Sequence, residues 1–134
     1  MDVVDRFLTD VTATLPSDAR VIKTIGDAVM VVCPDPGEIV AWAVAFSESH
    51  TTPPLPRIAV HYGEARYRDG DYFGREVNLA SRISGESGAG EVLVSRAVME
   101  HAAPGVQYEP LEEIRMKGFS EAIEVFLARR VDAS

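Results

Sequence analysis

Two short apolar runs, Val21 to Ile25 and Ala28 to Cys33, stand on either side of the dipeptide Gly26-Asp27. Short β-branched runs separated by two turn-forming residues leave the chain little option but an antiparallel hairpin, with glycine supplying the positive φ of a type II′ turn. That hairpin commits the chain to a sheet and sets Asp27 at a tip. Lys23 is the anomaly. By strict alternation it shares a strand face with Val21 and Ile25, so its ammonium must leave an apolar row or find a partner.

Around the hairpin the apolar period switches between helix and strand. Val3, Val4, Phe7, Leu8, Val11 and Leu15 recur at helical spacing, predicting an amphipathic helix over residues 2–15 that Pro16 helps to end. The tract Pro34-Asp35-Pro36-Gly37 breaks the chain, and residues 38–49 read as an apolar helix with Trp42 as a core anchor. After a Pro-rich loop, residues 57–67 read as a strand with Ile58, Val60 and Tyr62 on one face and Ala59, His61 and Gly63 on the other. Both faces are apolar or small, which predicts an inner strand covered on each side. A turn-rich loop at 68–74 leads to a helix over about 75–86, a strand ending at Ser95, a short helix over 96–102, and a hairpin over 108–130 turning at Lys117 to Ser120. Hairpins mixed with crossover helices predict an α/β chain, an α+β sandwich of helices packed on a mainly antiparallel sheet, in one domain spanning 1–134.

Composition narrows the function. A chain of 134 residues with 46% hydrophobic side chains can bury one core. Its formal charge of -8 offers no general attraction to nucleic acid or an anionic membrane, so an anionic ligand must be held by locally placed Lys, Arg or metal. Cys33 cannot form an internal disulfide; core packing in a reducing, cytoplasmic setting is the expectation. No run approaches the roughly 18 apolar residues of a membrane span, and the N-terminus lacks the pattern of a signal peptide. His50, His61 and His101 have no metal-ligand spacing, and neither a nucleophile elbow nor a Walker loop is present.

The segment Arg75 to Ser84 carries more information. Val77, Leu79, Ala80 and Ile83 fill one arc of the helix, whereas Asn78 and Arg82, one turn apart, project together from the other. An amide beside a guanidinium can clamp an oxyanion. A polar arc is equally an ordinary solvated face, and periodicity does not decide between them. Asp27 and Asp71 are each good turn chemistry, and Lys117 before Gly118 is an ordinary turn lysine.

Taken together, KTIGDAVM, HYGEARYRDGDYFGREVNLASRI, GEVLVS and MKGFSEAIEVFLARR, in this order and spacing, resemble the class III nucleotidyl cyclase homology domain over about residues 3–130. The resemblance implies a ferredoxin-like cyclase fold that converts ATP to 3′,5′-cyclic AMP and pyrophosphate at a homodimer interface. It assigns Asp27 as one of two aspartates holding paired Mg²⁺ or Mn²⁺ ions. Lys23 and Asp71 match the adenine-selecting pair, where guanylate cyclases carry Glu and a small residue such as Cys. Asn78 and Arg82 match the groups that orient the ribose and neutralise the α-phosphate, and Lys117 matches the triphosphate-contacting lysine. Family members open with a further strand, near the middle of the sheet, and a helix; that strand carries the first metal aspartate in a Phe-x-Asp motif. Asp2, Asp5 and Asp10 do not match it, so the expectation is an N-terminally incomplete domain with its first strand missing. Two other readings stay open: a catalytically inactive cyclase-like module that binds nucleotide or dimerises to regulate a partner, and an interaction domain with no ligand.

Overall fold

The computed structural model describes residues 3–25, 28–101, 103–115 and 122–131. The first helix, α1 (Val3–Thr14), is followed by β1 (Arg20–Ile25) and β2 (Ala28–Val32), which pair antiparallel out to Ile25 and Ala28 as the two apolar runs demand. Gly26 and Asp27, and with them the predicted turn, lie outside the described residues. Helix α2 (Pro36–Ser49) starts earlier than its apolar pattern suggests. The reason is local: the Asp35 carboxylate accepts from the Gly37 and Glu38 amides, and Pro36 sits where a helix has no amide to lose. The segment expected to break the chain therefore starts a helix.

The central sheet has the order β3-β6-β10-β7, built from β3 (Ile58–Val60), β6 (Val92–Ser95), β7 (Val106–Pro110) and β10 (Val125–Arg130). Only the β3–β6 pairing is parallel; β10 runs antiparallel to both β6 and β7. All four residues of β6 are buried, and alternate side chains go to opposite faces. Val92 and Val94 join Val40, Ala43 and Val44 of α2, with Val98 of the short helix α4 (Arg96–Met99). Leu93 joins Leu79 and Ile83 of α3 (Arg75–Glu86), with Val125. Helices thus cover both sides of the sheet, and each buried aliphatic side chain stabilises the fold by about 1.5–3 kcal/mol. Helix α1 packs on α2 through Phe7 and Phe46, the His50–Asp10 contact of 2.8 Å, and a hydrogen bond from Trp42 Nε1 to Thr14 Oγ1 at 3.0 Å.

Three expectations need correcting. Residues 57–67 do not make one inner strand: β3 ends at Val60 and, among the described residues, is the terminal strand of its sheet. Beyond Val60 the chain leaves the ladder because His61 and Tyr62 are engaged elsewhere, on Glu76 and His101. The turn-rich loop before α3 is a second hairpin, β4 (Arg66–Arg68) with β5 (Asp71–Phe73). Positive φ at both Asp69 and Gly70 gives a type I′ turn. Cys33 is only half-buried; its thiol faces the Asp35 carbonyl at 3.5 Å where the chain turns into α2, and burial pushes its pKa up.

The final hairpin forms by β7 and β10, extended by β8 (Ile114–Arg115) and β9 (Ala122–Ile123); its tip, with Lys117, lies outside the described residues. Among the described residues β2 pairs only with β1 and β3 only with β6, so hairpin and central sheet are separate hydrogen-bonded units. No described helix is long and apolar enough to cross a membrane.

Candidate active site

Strand β1 does not alternate strictly. A bulge between Val21 and Lys23 shifts the register, and such an extra residue re-aims the side chain that follows it. Lys23 finds the partner that its apolar row requires: its Nζ donates to Asp71 Oδ2 at 2.6 Å, joining residues 48 apart in sequence. Asp71 opens β5 directly after the type I′ turn, and its other oxygen accepts the Tyr72 amide at 2.8 Å. A second link runs beside the first, Arg20 Nη2 donating to the Tyr72 hydroxyl at 3.0 Å. The Lys23 hydrogen bond, helped by the Tyr72 amide and against a smaller effect of burial, holds the Asp71 carboxyl below its ordinary pKa. Both partners remain open to solvent, with side-chain exposures of 36% and 44%.

Gly74 leads from β5 into α3 with φ of +123, a conformation that strains any residue with a Cβ. Leu79 and Ile83 are 2% and 0% exposed and fix which way the helix faces. Asn78 and Arg82 consequently project outward, both exposed, and among the described residues Arg82 forms no ion pair. Lys23 and Asp71 are thus brought together, and Asn78 and Arg82 share one exposed helix face. Asp27 and Lys117 lie outside the described residues. Among those residues no three His, Cys, Asp or Glu side chains form a metal-holding group. A cleft of about 350 Å³ beside the start of α3 is lined by Arg66, Phe73, Arg75 and Glu76 among others, and by none of the predicted site residues.

The structure adds a cluster that the sequence pattern does not reveal. His61, at the end of β3, contacts Glu76 of α3 through Nε2 and lies 2.7 Å from Ser95 Oγ through Nδ1. In the sequence His61 stands out only as a possible metal ligand, without the spacing for it. The usable signal is a histidine followed closely by Gly63, whose missing side chain leaves room for Glu76.

Comparison with known proteins yields a consistent set. The family described as "Adenylate and Guanylate cyclase catalytic domain" matches residues 56–129. A pH-sensitive adenylate cyclase of Mycobacterium tuberculosis is 39% identical over 117 residues, covering 81% of this chain and 30% of that protein. An adenylate cyclase of Streptomyces griseus is 37% identical over 86 residues, covering 61% of this chain and 21% of that one. The chain therefore spans less than a third of the length of either relative. The crystal structure of the adenylyl cyclase CyaB from P. aeruginosa superposes with a TM-score of 0.71 at 24% identity, covering 99% of this chain and 82% of that one, a likeness of fold.

Proposed function

The chain belongs to the adenylate and guanylate cyclase catalytic domain family, and on that premise we propose that it forms 3′,5′-cyclic AMP and pyrophosphate from ATP. The observation that carries this choice of substrate is the 2.6 Å contact between Lys23 and Asp71. Adenine presents an acceptor, its ring N1, beside a donor, its exocyclic amine. An ammonium adjacent to a carboxylate complements that edge. Guanine presents a ring N–H and a carbonyl, the reverse order, and would set like against like at both positions. The pair is exposed, so each partner can exchange the other for the base at little cost, water already screening their attraction.

In the reaction the ribose 3′-oxygen bonds to the α-phosphorus, the bond to the β-phosphate bridging oxygen breaks, and the hydroxyl proton leaves to solvent. This asks chiefly for positioning and charge neutralisation. Asn78 would orient the ribose, and Arg82 would meet the charge growing on the α-phosphate oxygens. Lys117 is assigned to the triphosphate and Asp27 to a divalent cation, Mg²⁺ or Mn²⁺. When bound, such ions supply Lewis-acid activation and hold the leaving phosphates. The described residues do not fit a metal by themselves.

Lys23, Asp71, Asn78 and Arg82 stand on open surface rather than in the cleft, which supports a homodimer whose second copy closes the site. A cytoplasmic setting belongs to the same proposal, as does the absence of nucleic-acid or inserted-membrane partners, which the charge of -8 supports.

The test is incubation of the purified protein with ATP or GTP and Mn²⁺, followed by chromatography of the products. Cyclic AMP is expected in clear excess over cyclic GMP. A melting temperature raised by ATP without cyclic product would replace the proposal with a nucleotide-binding module.

A further inference from the structure

We propose that Glu76, tethered by His61, is a positioning residue for the cyclisation step, setting the first turn of α3 and through it the Asn78 and Arg82 side chains. This rests on the cyclase assignment and goes beyond it by naming groups that touch neither base nor phosphate.

Helix α3 begins without the usual anchor. Its N-cap is Gly74, which has no side chain to accept the free amides of the first turn. Leu79 and Ile83 hold the helix against Leu93 and Val125, but apolar burial is non-directional and tolerates small shifts along the helix axis. Direction comes from Glu76. One carboxylate oxygen contacts His61 Nε2, and the other accepts from Arg75 Nη1 at 3.1 Å.

His61 is itself immobilised, its side chain only 10% exposed. A carboxylate can only accept, so Nε2 carries a hydrogen toward Glu76, while Nδ1 shares a hydrogen bond with the Ser95 hydroxyl at 2.7 Å. Ser95 ends the buried strand β6 and is 3% exposed. Buried strand, histidine and helix are thereby linked in one line.

Gly63 completes the arrangement. A Cβ there would stand 2.7 Å from Glu76 Cγ and 2.9 Å from Oε2, closer than van der Waals contact permits. Burial works against the charged form of Glu76, yet hydrogen bonding from His61, then from Arg75, outweighs it and leaves the carboxyl below its ordinary pKa. Serine, histidine and carboxylate in sequence also make up a nucleophilic triad. That use is closed here, because the Ser95 hydroxyl is buried at the end of β6, where a substrate does not reach it.

Displacing a catalytic group by about 1 Å can cost on the order of a hundredfold in rate, so loosening this tether should act on turnover rather than binding. The experiment is steady-state kinetics on the whole protein for wild type, His61→Ala, Glu76→Gln, Asn78→Ala and the double variants of His61→Ala and of Glu76→Gln with Asn78→Ala. Folded fraction is fixed by circular dichroism. His61→Ala should lower kcat about tenfold and Glu76→Gln about fivefold, with KM for ATP within about twofold of wild type. His61→Gln, which can still donate toward Glu76, should recover most of the loss. In the Asn78→Ala background His61→Ala should cost about threefold instead of about tenfold, because one of the two groups it positions is gone.

A purely structural role predicts losses that multiply in full, and that outcome overturns the proposal. So does an unchanged kcat in His61→Ala. If His61→Ala does not fold, Glu76→Gln, which keeps its shape, carries the same cycle with Asn78→Ala: a loss that shrinks in that background supports the tether, and a loss that multiplies in full overturns it. Absence of cyclic product from wild type would overturn the cyclase assignment and the tether together; an active wild type with fully multiplicative losses overturns the tether alone.

Discussion

Two acidic side chains close to one another in the chain, Asp71 and Glu76, each meet a basic partner from a distant segment, Lys23 and His61 respectively. Their surroundings differ. Lys23 and Asp71 are 36% and 44% exposed, whereas His61 and Glu76 are 10% and 26% exposed. In an exposed pair water screens the attraction, and either partner can be exchanged for a ligand. An enclosed link resists exchange, since breaking it strands a desolvated charge. Of two similar contacts, one is therefore suited to recognise and the other to hold.

A third charged group, on the same helix as Glu76, provides the sharpest test. Arg82 lies on the exposed arc of α3, and removing one preorganised donor that stabilises transition-state charge costs about 10²–10³ in rate. Arg82→Ala should lower cyclic AMP formation by that factor while leaving the melting temperature within about a degree of wild type. Wild-type turnover in this variant would remove Arg82 from the chemistry.

The next largest effect falls on stability. Ile83, one residue on, is 0% exposed, and truncating it leaves a cavity against Leu93 and Val125. Ile83→Ala should destabilise the protein by about 2–5 kcal/mol in urea unfolding. A cost below about 1 kcal/mol would mean that α3 is not seated on the sheet as described.

Breaking the exposed link is milder. Lys23→Ala should leave the melting temperature within about a degree of wild type, since exposed ion pairs add little to stability, weaken ATP about tenfold and narrow the preference for ATP over GTP. A variant that selects ATP as strongly as wild type would deny the pair its role in base recognition.

Much of this was legible in the sequence, for reasons that differ from element to element. The β1–β2 hairpin and the bounds of α3 follow from local pattern, because β-branched runs about a two-residue turn and a sharply two-faced helix leave few alternatives. The β4–β5 hairpin was missed although Asp69-Gly70 is strong turn chemistry: Arg66 and Arg68 give its exposed strand no apolar alternation to detect. The inner-strand expectation for residues 57–67 failed because His61 leaves the ladder for a helix encoded later in the chain. Pairing Lys23 with Asp71 came from family resemblance alone, since no local rule couples residues 48 apart.

The smallest expected effect is electrostatic and separates the two links directly. Both carboxyls lie below their ordinary values, Asp71 chiefly through the Lys23 hydrogen bond, and Glu76 because His61 and Arg75 outweigh burial. A depressed carboxyl contributes stability that is fully present above its unfolded pKa, near 4, and is lost as pH falls through its folded value. Both contributions should therefore fade under acid. Salt should distinguish them: at about 1 M the screening length falls to roughly 3 Å, weakening the exposed pair far more than the enclosed one. In a carboxyl titration followed by NMR, Asp71 should move toward its ordinary value in high salt while Glu76 holds. Equal movement of both would erase the contrast between an exchangeable contact and a fixed one, and with it the reason to assign them different work.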